Sequence, residues 1–315
     1  MLMDPGVWHQ HAWSNRFQSL LLLTLMAGFT ALVGWLLWGS EGLVAVATSM
    51  TLLLLFNPAL SPQLLMRMYG ARKLDRATAP QLVMTVEALA QRAGLARPPD
   101  LYYLPSNIIN AFSAGRGEET VVALSEGLLR TLSRRELVAV LAHEISHIRA
   151  GDTWVMGVAD LFSRLTSLLS LFGQLLLLVN LPLLLFAEVQ INWLAILLLV
   201  MAPGLSVLAQ LGLSRTREYD ADLNAVRLTG DGEALASALL KIDRYSGAFL
   251  EQILWPGRGL PEPSWLRTHP PTEERVRRIL ALQPLAVGEL PAAQFQPLPG
   301  PRHDEPRWHL NGLWY

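Results

Sequence analysis

The sequence predicts a mainly α-helical membrane protein that carries a small β-sheet. Hydrophobic residues make up 51% of the 315 residues and charged residues only 16%, which is far from the average of soluble domains. Four uncharged apolar segments each approach the roughly 20 residues that a helix needs to cross the hydrocarbon core of a bilayer. A protein with helical membrane spans is therefore the expected class.

Net charge and the missing cysteines limit the partners and ligands of the chain. The formal net charge is -1, and no face or tail concentrates basic residues, so we expect no nucleic acid partner. The sequence contains no cysteine, which excludes disulfides and thiolate ligands. Any metal site must therefore use imidazole and carboxylate groups.

The first two apolar segments, Leu20 to Trp38 and Leu43 to Leu60, predict a membrane hairpin. The alternative is a cleaved signal peptide, since Ala45-Val46-Ala47 has the small residues of a cleavage site. However, the first segment exceeds the roughly 7 to 15 residues of a signal h-region, and a second apolar segment follows at once. These features favour the hairpin.

A second hairpin is predicted from Leu165 to Ala187 and from Val189 to Leu213, with Glu188 between them. The alternative is a pair of buried core helices. Both segments are longer than typical globular helices, and neither shows a polar face at the helical period. Pro182 and Pro203 are expected to kink these helices.

Basic residues predict which side of the membrane the soluble segments occupy, because Lys and Arg accumulate on the cytoplasmic side. The linkers at Gly39 to Gly42 and around Glu188 contain none. The other ends of the spans are flanked by Arg16, Arg67, Arg72, Lys73, Arg76, Arg149, Arg164, Arg215 and Arg217. We therefore expect all soluble segments in the cytoplasm.

The soluble segments predict helices around a small sheet. Ser133 and Glu136 form a capping box that opens an apolar-periodic helix, Arg134 to Ala150, which Gly151 ends. Short β-branched and aromatic segments predict three strands, at Asp100 to Leu104, Ile108 to Ser113 and Thr120 to Leu124. Further helices are expected at Ala79 to Gly94, Thr216 to Thr229, Glu233 to Tyr245 and Thr272 to Leu282.

The pentapeptide His143-Glu144-Ile145-Ser146-His147 lies in the capped helix and predicts a zinc site. The four-residue spacing puts both imidazoles on one helix face, where they can reach the same Zn²⁺. Glu144 can take a proton from the attacking water and pass it to the leaving amine, as peptide hydrolysis requires. The alternative is a chance coincidence in a chain with 7 histidines.

A third ligand must come from elsewhere, since catalytic zinc normally has three protein ligands and one open position. Glu218 is the best candidate, and Asp222, one turn later, can accept the remaining N–H of a ligating histidine. Taken alone, Glu218 fits an ordinary solvated acidic face equally well. Asp220 is expected on another face, at the surface.

Four blocks of the sequence resemble the HtpX family of membrane zinc metallopeptidases, which is related to the CAAX prenyl endopeptidases. They are Leu132 to Asp152, Asn110-Ala111-Phe112, Arg217-Glu218-Tyr219 with Ala221-Asp222, and Thr268-His269-Pro270-Pro271 followed by Arg275. The resemblance extends from about Leu20 to Leu282. It implies a zincin-like (gluzincin) catalytic domain, and it favours Glu218 as the third ligand of one zinc ion per chain.

The resemblance also implies roles for residues outside the metal-binding helix. In the family the Asn-Ala-Phe strand lies at the sheet edge beside the metal, so Asn110, Ala111 and Phe112 are expected to pair with an extended substrate; the alternative is a plain structural hairpin. His269 resembles a family histidine that can donate to the oxyanion of the tetrahedral intermediate, but a cap on the helix at Thr272 fits equally well. Arg275 is expected to anchor that helix through a carboxylate.

The expected organisation has five parts. They are an N-terminal membrane hairpin (1–66), a first catalytic part with the sheet and the metal-binding helix (67–153), a second membrane hairpin (154–213), a second catalytic part (214–282) and a Pro-rich tail (283–315). A metal bound by residues of both catalytic parts would tie together the two flanks of the second hairpin.

The expected function is zinc-dependent endopeptidase activity in a multi-pass protein of the bacterial inner membrane. The substrates would be membrane or misfolded proteins cleaved on the cytoplasmic side, in quality control by analogy with the family. One alternative is a non-hydrolytic scaffold or chaperone that keeps the metallopeptidase fold, against which the complete set of ligands and base counts. A transporter is disfavoured because the four spans contain no ionisable residues.

Overall fold

The computed structural model of the protein describes residues 5–55, 61–181, 192–253 and 270–282. These residues form nine helices and one four-stranded sheet. The helices are α1 (Pro5–Leu55), α2 (Pro62–Met68), α3 (Pro80–Ala93), α4 (Glu126–Thr131), α5 (Arg134–Ala150), α6 (Asp152–Val179), α7 (Trp193–Thr229), α8 (Gly232–Ile253) and α9 (Thr272–Ala281). The strands are β1 (Arg72–Leu74), β2 (Asp100–Leu104), β3 (Ala111–Arg116) and β4 (Glu119–Ser125). The predicted tail and Pro182 lie outside the described residues.

Helices α1, α6 and α7 are the three in the described part of the chain that are long and apolar enough to cross a membrane. α1 contains the first segment of the first predicted hairpin and the described part of the second, up to Leu55, and its backbone leaves the helical conformation at Trp38 and Gly39. On either side of this break Gly34 and Gly42 touch, because a Cβ on Gly42 would lie 1.9 Å from the carbonyl oxygen of Gly34. The two halves of α1 therefore fold back on each other.

The three apolar helices pack through small apolar clusters and hydroxyl pairs. Thr30 of α1 lies 2.7 Å from Thr166 of α6, measured between the hydroxyl oxygens. Ser163 of α6 lies 3.2 Å from Ser206 of α7, and the Ser170 hydroxyl donates to the carbonyl of Leu199 at 2.6 Å. From Ser163 to Ser170 the residue number on α6 rises, while that of the α7 partner falls from Ser206 to Leu199, so α6 and α7 are antiparallel.

Helix α7 is longer than the sequence pattern indicated. The apolar segment to Leu213 and the soluble helix from Thr216 form one uninterrupted helix that also runs through Pro203. The intervening residues, Ser214 and Arg215, are compatible with a helix. One continuous helix therefore connects the apolar bundle to the acidic residues at Glu218 and Asp222.

The sheet has the strand order β1-β2-β4-β3, with β2 parallel to β4 and the other pairs antiparallel. Strand β3 lies three residues later than predicted and includes Gly115, whose φ of 102° favours glycine. Strand β1 and helix α4 have no counterpart in the sequence prediction. Within the described residues β3 is an edge strand.

The helix predicted from the capping box is confirmed as α5. The Ser133 hydroxyl accepts from the backbone N–H of Glu136, the Glu136 carboxylate accepts from that of Ser133, and Gly151 ends the helix with a φ of 68°. The apolar face of α5, including Leu141 and Ile145, is fully buried in the core between the sheet and helices α3, α7 and α8. His143 and His147 lie on the side of α5 that approaches Glu218 of α7.

Candidate metal centre

Two histidines of α5 and one glutamate of α7 converge in a buried site. The Nε2 atoms of His143 and His147 lie 3.1 Å apart. The carboxylate of Glu218 lies 3.4 Å from Nε2 of His143 and 3.7 Å from Nε2 of His147. One ligand atom from each residue lies within 4.8 Å of the other two, a spacing that can hold a metal ion.

The other ring nitrogen of each histidine faces a carboxylate. Nδ1 of His143 lies 3.1 Å from Oδ1 of Asp222, which is where the sequence led us to expect Asp222. Nδ1 of His147 lies 2.7 Å from Oδ2 of Asp152. Sequence reasoning assigned Asp152 no role, although its place directly after the helix-ending Gly151 could have signalled one. Such carboxylates orient metal-binding imidazoles.

The chemistry of these groups fits a divalent metal. With Nδ1 of each ring turned to a carboxylate, both Nε2 atoms can act as acceptors, and together with the Glu218 carboxylate they form a set of ligand atoms for a divalent cation. Burial lowers the pKa of His143, but Asp222 and Glu218 outweigh it and raise it to about 10. Two imidazoles and one carboxylate are also the protein ligands of a common class of catalytic zinc site.

Arg275 contacts the carboxylates of Asp222 and Glu218, which are the partners that the sequence alone could not identify. Its guanidinium donates to both carboxylate oxygens of Asp222, at 2.7 and 2.6 Å. A third nitrogen lies 3.1 Å from Oε2 of Glu218. Burial lowers the pKa of Arg275, but the two carboxylates outweigh it and hold the pKa above its usual range. Arg275 therefore stays charged and fastens α9 to α7.

The sequence also suggested positions or roles for Glu144, Asp220 and His269. Glu144 is buried and follows His143 on α5. Asp220, expected at the surface, is only 7% exposed and lies 3.7 Å from Arg217, so that expectation was wrong. The reason is that α7 packs on neighbouring helices around most of its circumference here. His269 lies outside the described residues.

The Asn-Ala-Phe block lies at the beginning of edge strand β3. The backbone N–H of Ser125 donates to the carbonyl of Asn110 at 3.0 Å. Because hydrogen-bonded and non-bonded pairs alternate along antiparallel strands, Phe112 also faces β4, whereas Ala111 and Ser113 direct their N–H and C=O groups to the free edge. The Phe112 side chain is 2% exposed and packs in the core, so its contribution is to hold the strand.

The chain matches Peptidase family M48 over residues 76–283. It is 36% identical over 283 residues to a protease HtpX homolog from Pyrococcus furiosus, a match that covers 82% of this chain and 93% of the relative. It is 34% identical over 278 residues to a protease HtpX homolog from Burkholderia mallei, covering 81% of this chain and 94% of the relative. The resemblance to the HtpX family is thereby confirmed.

Among solved structures, the fold is similar to a crystal structure of S. mikatae Ste24p. The TM-score is 0.46 at 19% sequence identity, and the match covers 86% of this chain and 66% of that chain. The chain belongs to peptidase family M48 and is a membrane metallopeptidase similar over most of its length to HtpX proteases.

Proposed function

We propose that this chain is a zinc-dependent endopeptidase that cleaves membrane or misfolded proteins at the cytoplasmic face of the bacterial inner membrane, as part of protein quality control. The convergence of two histidine Nε2 atoms and the Glu218 carboxylate carries the proposal. In it, His143, His147 and Glu218 hold one zinc ion. Three protein ligands leave a fourth position for water or substrate, as catalytic zinc sites require.

The surrounding side chains have separate tasks in hydrolysis. When bound, zinc lowers the pKa of water and polarises the scissile carbonyl. Glu144 takes a proton from the attacking water and passes it to the leaving amine. Asp222, whose Oδ1 lies 3.1 Å from Nδ1 of His143, keeps this ring turned so that its Nε2 lone pair is directed into the site.

We assign His269 the donation of a hydrogen bond to the oxyanion of the tetrahedral intermediate. The resemblance of its Thr-His-Pro-Pro block to the HtpX family is the support for this role. Where such donors have been removed from other hydrolases, the loss was about 2.7–4 kcal/mol of transition-state stabilisation.

The free edge of β3 is proposed to bind the substrate as an added strand. Ala111 and Ser113 present main-chain donors and acceptors, and each resulting hydrogen bond contributes about 0.5–1.5 kcal/mol. Asn110 and Phe112 hold this strand against β4 and the core. Main-chain pairing is largely indifferent to sequence, which suits a protease that acts on many misfolded chains.

The proposed membrane arrangement keeps the five parts predicted from the sequence, with a gluzincin-type catalytic domain between and after two hairpins. The halves of α1 supply the first hairpin, and α6 and α7 supply the second. Asp152 begins α6, and Glu218 lies on α7 beyond its apolar part. The metal centre therefore lies close to the apolar bundle, which suits membrane-proximal substrates.

Glu144→Ala tests the mechanism. Purified protein should cleave a casein-like and a membrane substrate, lose this activity with chelator, and regain it with zinc. Glu144→Ala should bind zinc and cleave neither substrate, whereas Glu273→Ala, an exposed glutamate of α9, should behave as wild type. Cleavage by the Glu144 variant would refute the mechanism. Zinc-loaded wild type without activity would favour a non-hydrolytic scaffold.

The proposed orientation can be tested cleanly because the sequence contains no cysteine. Two single-cysteine variants are suitable. Ser40→Cys lies at the exposed break in α1, and Glu118→Cys lies in the exposed turn between β3 and β4. A membrane-impermeant maleimide should label Ser40→Cys in intact cells, but Glu118→Cys only after permeabilisation. The reverse pattern would place the metal centre on the other side of the membrane.

A further inference from the structure

His147, which is partly buried, ends a chain of three side chains that leads to helices α6 and α7. Its Nδ1 lies 2.7 Å from Oδ2 of Asp152, and the other oxygen of Asp152 accepts from Nε of Arg217 at 2.5 Å. The side chains of Asp152 and Arg217 are 7% and 9% exposed. We infer that Asp152 and Arg217 are positioning residues that transmit the packing of α6 and α7 to the metal centre.

The positions of these residues in the fold carry the inference. Asp152 is the first residue of α6 and directly follows Gly151, the end of the metal-binding helix. Arg217 is the neighbour of Glu218 on α7. Because successive helix residues point about 100° apart, Arg217 can reach Asp152 while Glu218 faces the histidines. One carboxylate thus orients His147 and sets the rotation of the helix that carries Glu218.

The other histidine likewise faces a carboxylate that an arginine binds, but this arginine comes from a different helix. His143 faces Asp222, and Asp222 is held by Arg275 of α9. The His143 arrangement therefore depends on α9, whereas that of His147 is built from the first residue of α6 and from a residue of α7 just beyond its apolar part. A shift of α6 against α7 would move one proposed ligand relative to the other.

A simpler reading makes Asp152 and Arg217 an ion pair that only joins α6 to α7. That reading predicts lower stability with unchanged metal binding, whereas positioning predicts altered metal binding. The inference rests on the proposed metal-binding roles of His147 and Glu218, so the readouts are zinc affinity, from competition with a chromophoric chelator, and the visible spectrum of the Co²⁺-loaded protein. Both are measured on the full-length protein in detergent.

Asp152→Asn should weaken zinc binding about 10- to 100-fold and change the Co²⁺ spectrum. Asp160→Asn is the matched control, since Asp160 pairs at 2.7 Å with Arg164 on the same helix but is well exposed; it should change neither readout. Arg217→Lys keeps the charge and loses the planar fork. It should give a smaller loss of affinity, and it tests the inference if Asp152→Asn does not fold.

Zinc affinity and Co²⁺ spectra like those of wild type in both Asp152→Asn and Arg217→Lys would overturn the inference, and a lower unfolding temperature alone would then identify a structural ion pair. This result differs from failure of the proposed function. If the unmodified protein binds no zinc, the metal centre itself is refuted, whereas tight binding by wild type and both variants refutes only the positioning role.

Discussion

Replacing Arg275 by methionine removes the cation between two buried carboxylates while keeping most of the side-chain volume. Asp222 would lose two charge-assisted hydrogen bonds, and Glu218 would lose a contact of 3.1 Å. Removing one partner of a buried ion pair destabilises proteins by about 3–5 kcal/mol. At about 2–4 °C per kcal/mol, the metal-free unfolding temperature should fall by roughly 6 to 20 °C.

The assay is thermal unfolding of the full-length protein in detergent, with chelator and with zinc. Arg278→Met is the control on the same helix, since Arg278 pairs with Glu274 and stacks on Tyr219 but is half exposed; it should lose less than about 1 kcal/mol. Zinc should reduce the loss in Arg275→Met, because it restores positive charge beside Glu218. A metal-free loss below about 1 kcal/mol, or one that zinc does not reduce, would refute the reasoning.

Two further predictions concern the capping box and the edge strand. Burial raises the pKa of Glu136, but Lys241, Ser237 and Ser133 outweigh it and lower the pKa from 4.5 to about 2. The ionised carboxylate thus stabilises the fold above about pH 4.5, and this stabilisation is lost as the pH falls toward 2. The difference in unfolding temperature between wild type and Glu136→Gln should therefore shrink as the pH is lowered over that range. A difference that stays constant would contradict this prediction. Ser113→Pro removes a backbone N–H that faces the free edge of β3. It should lower kcat/KM on extended peptides about 2- to 10-fold and leave zinc affinity unchanged, whereas Ser113→Ala should change neither. Equal kinetics of the two variants would exclude strand addition at this residue.

Local sequence determined the features that depend on neighbouring residues. The capping box at Ser133 and Glu136 and the glycine at Gly151 bounded α5 as predicted, because they satisfy backbone groups within one turn. The four-residue spacing of His143 and His147 sufficed to place both imidazoles on one face. Segment length and composition sufficed for the apolar helices, since hydropathy and helix length are properties of the segment itself.

Tertiary structure decided which distant groups meet. Asp222 was expected beside a histidine, but only packing showed that this histidine is His143. The partner of Arg275 and the burial of Asp220 likewise depend on how α7 lies against its neighbours. Contacts between residues 53 to 79 positions apart follow from helix packing angles and distances, which no local pattern encodes. The sequence by itself therefore determined the residue types of the centre and the helix that carries its histidines, and the fold decided which distant side chains contact one another.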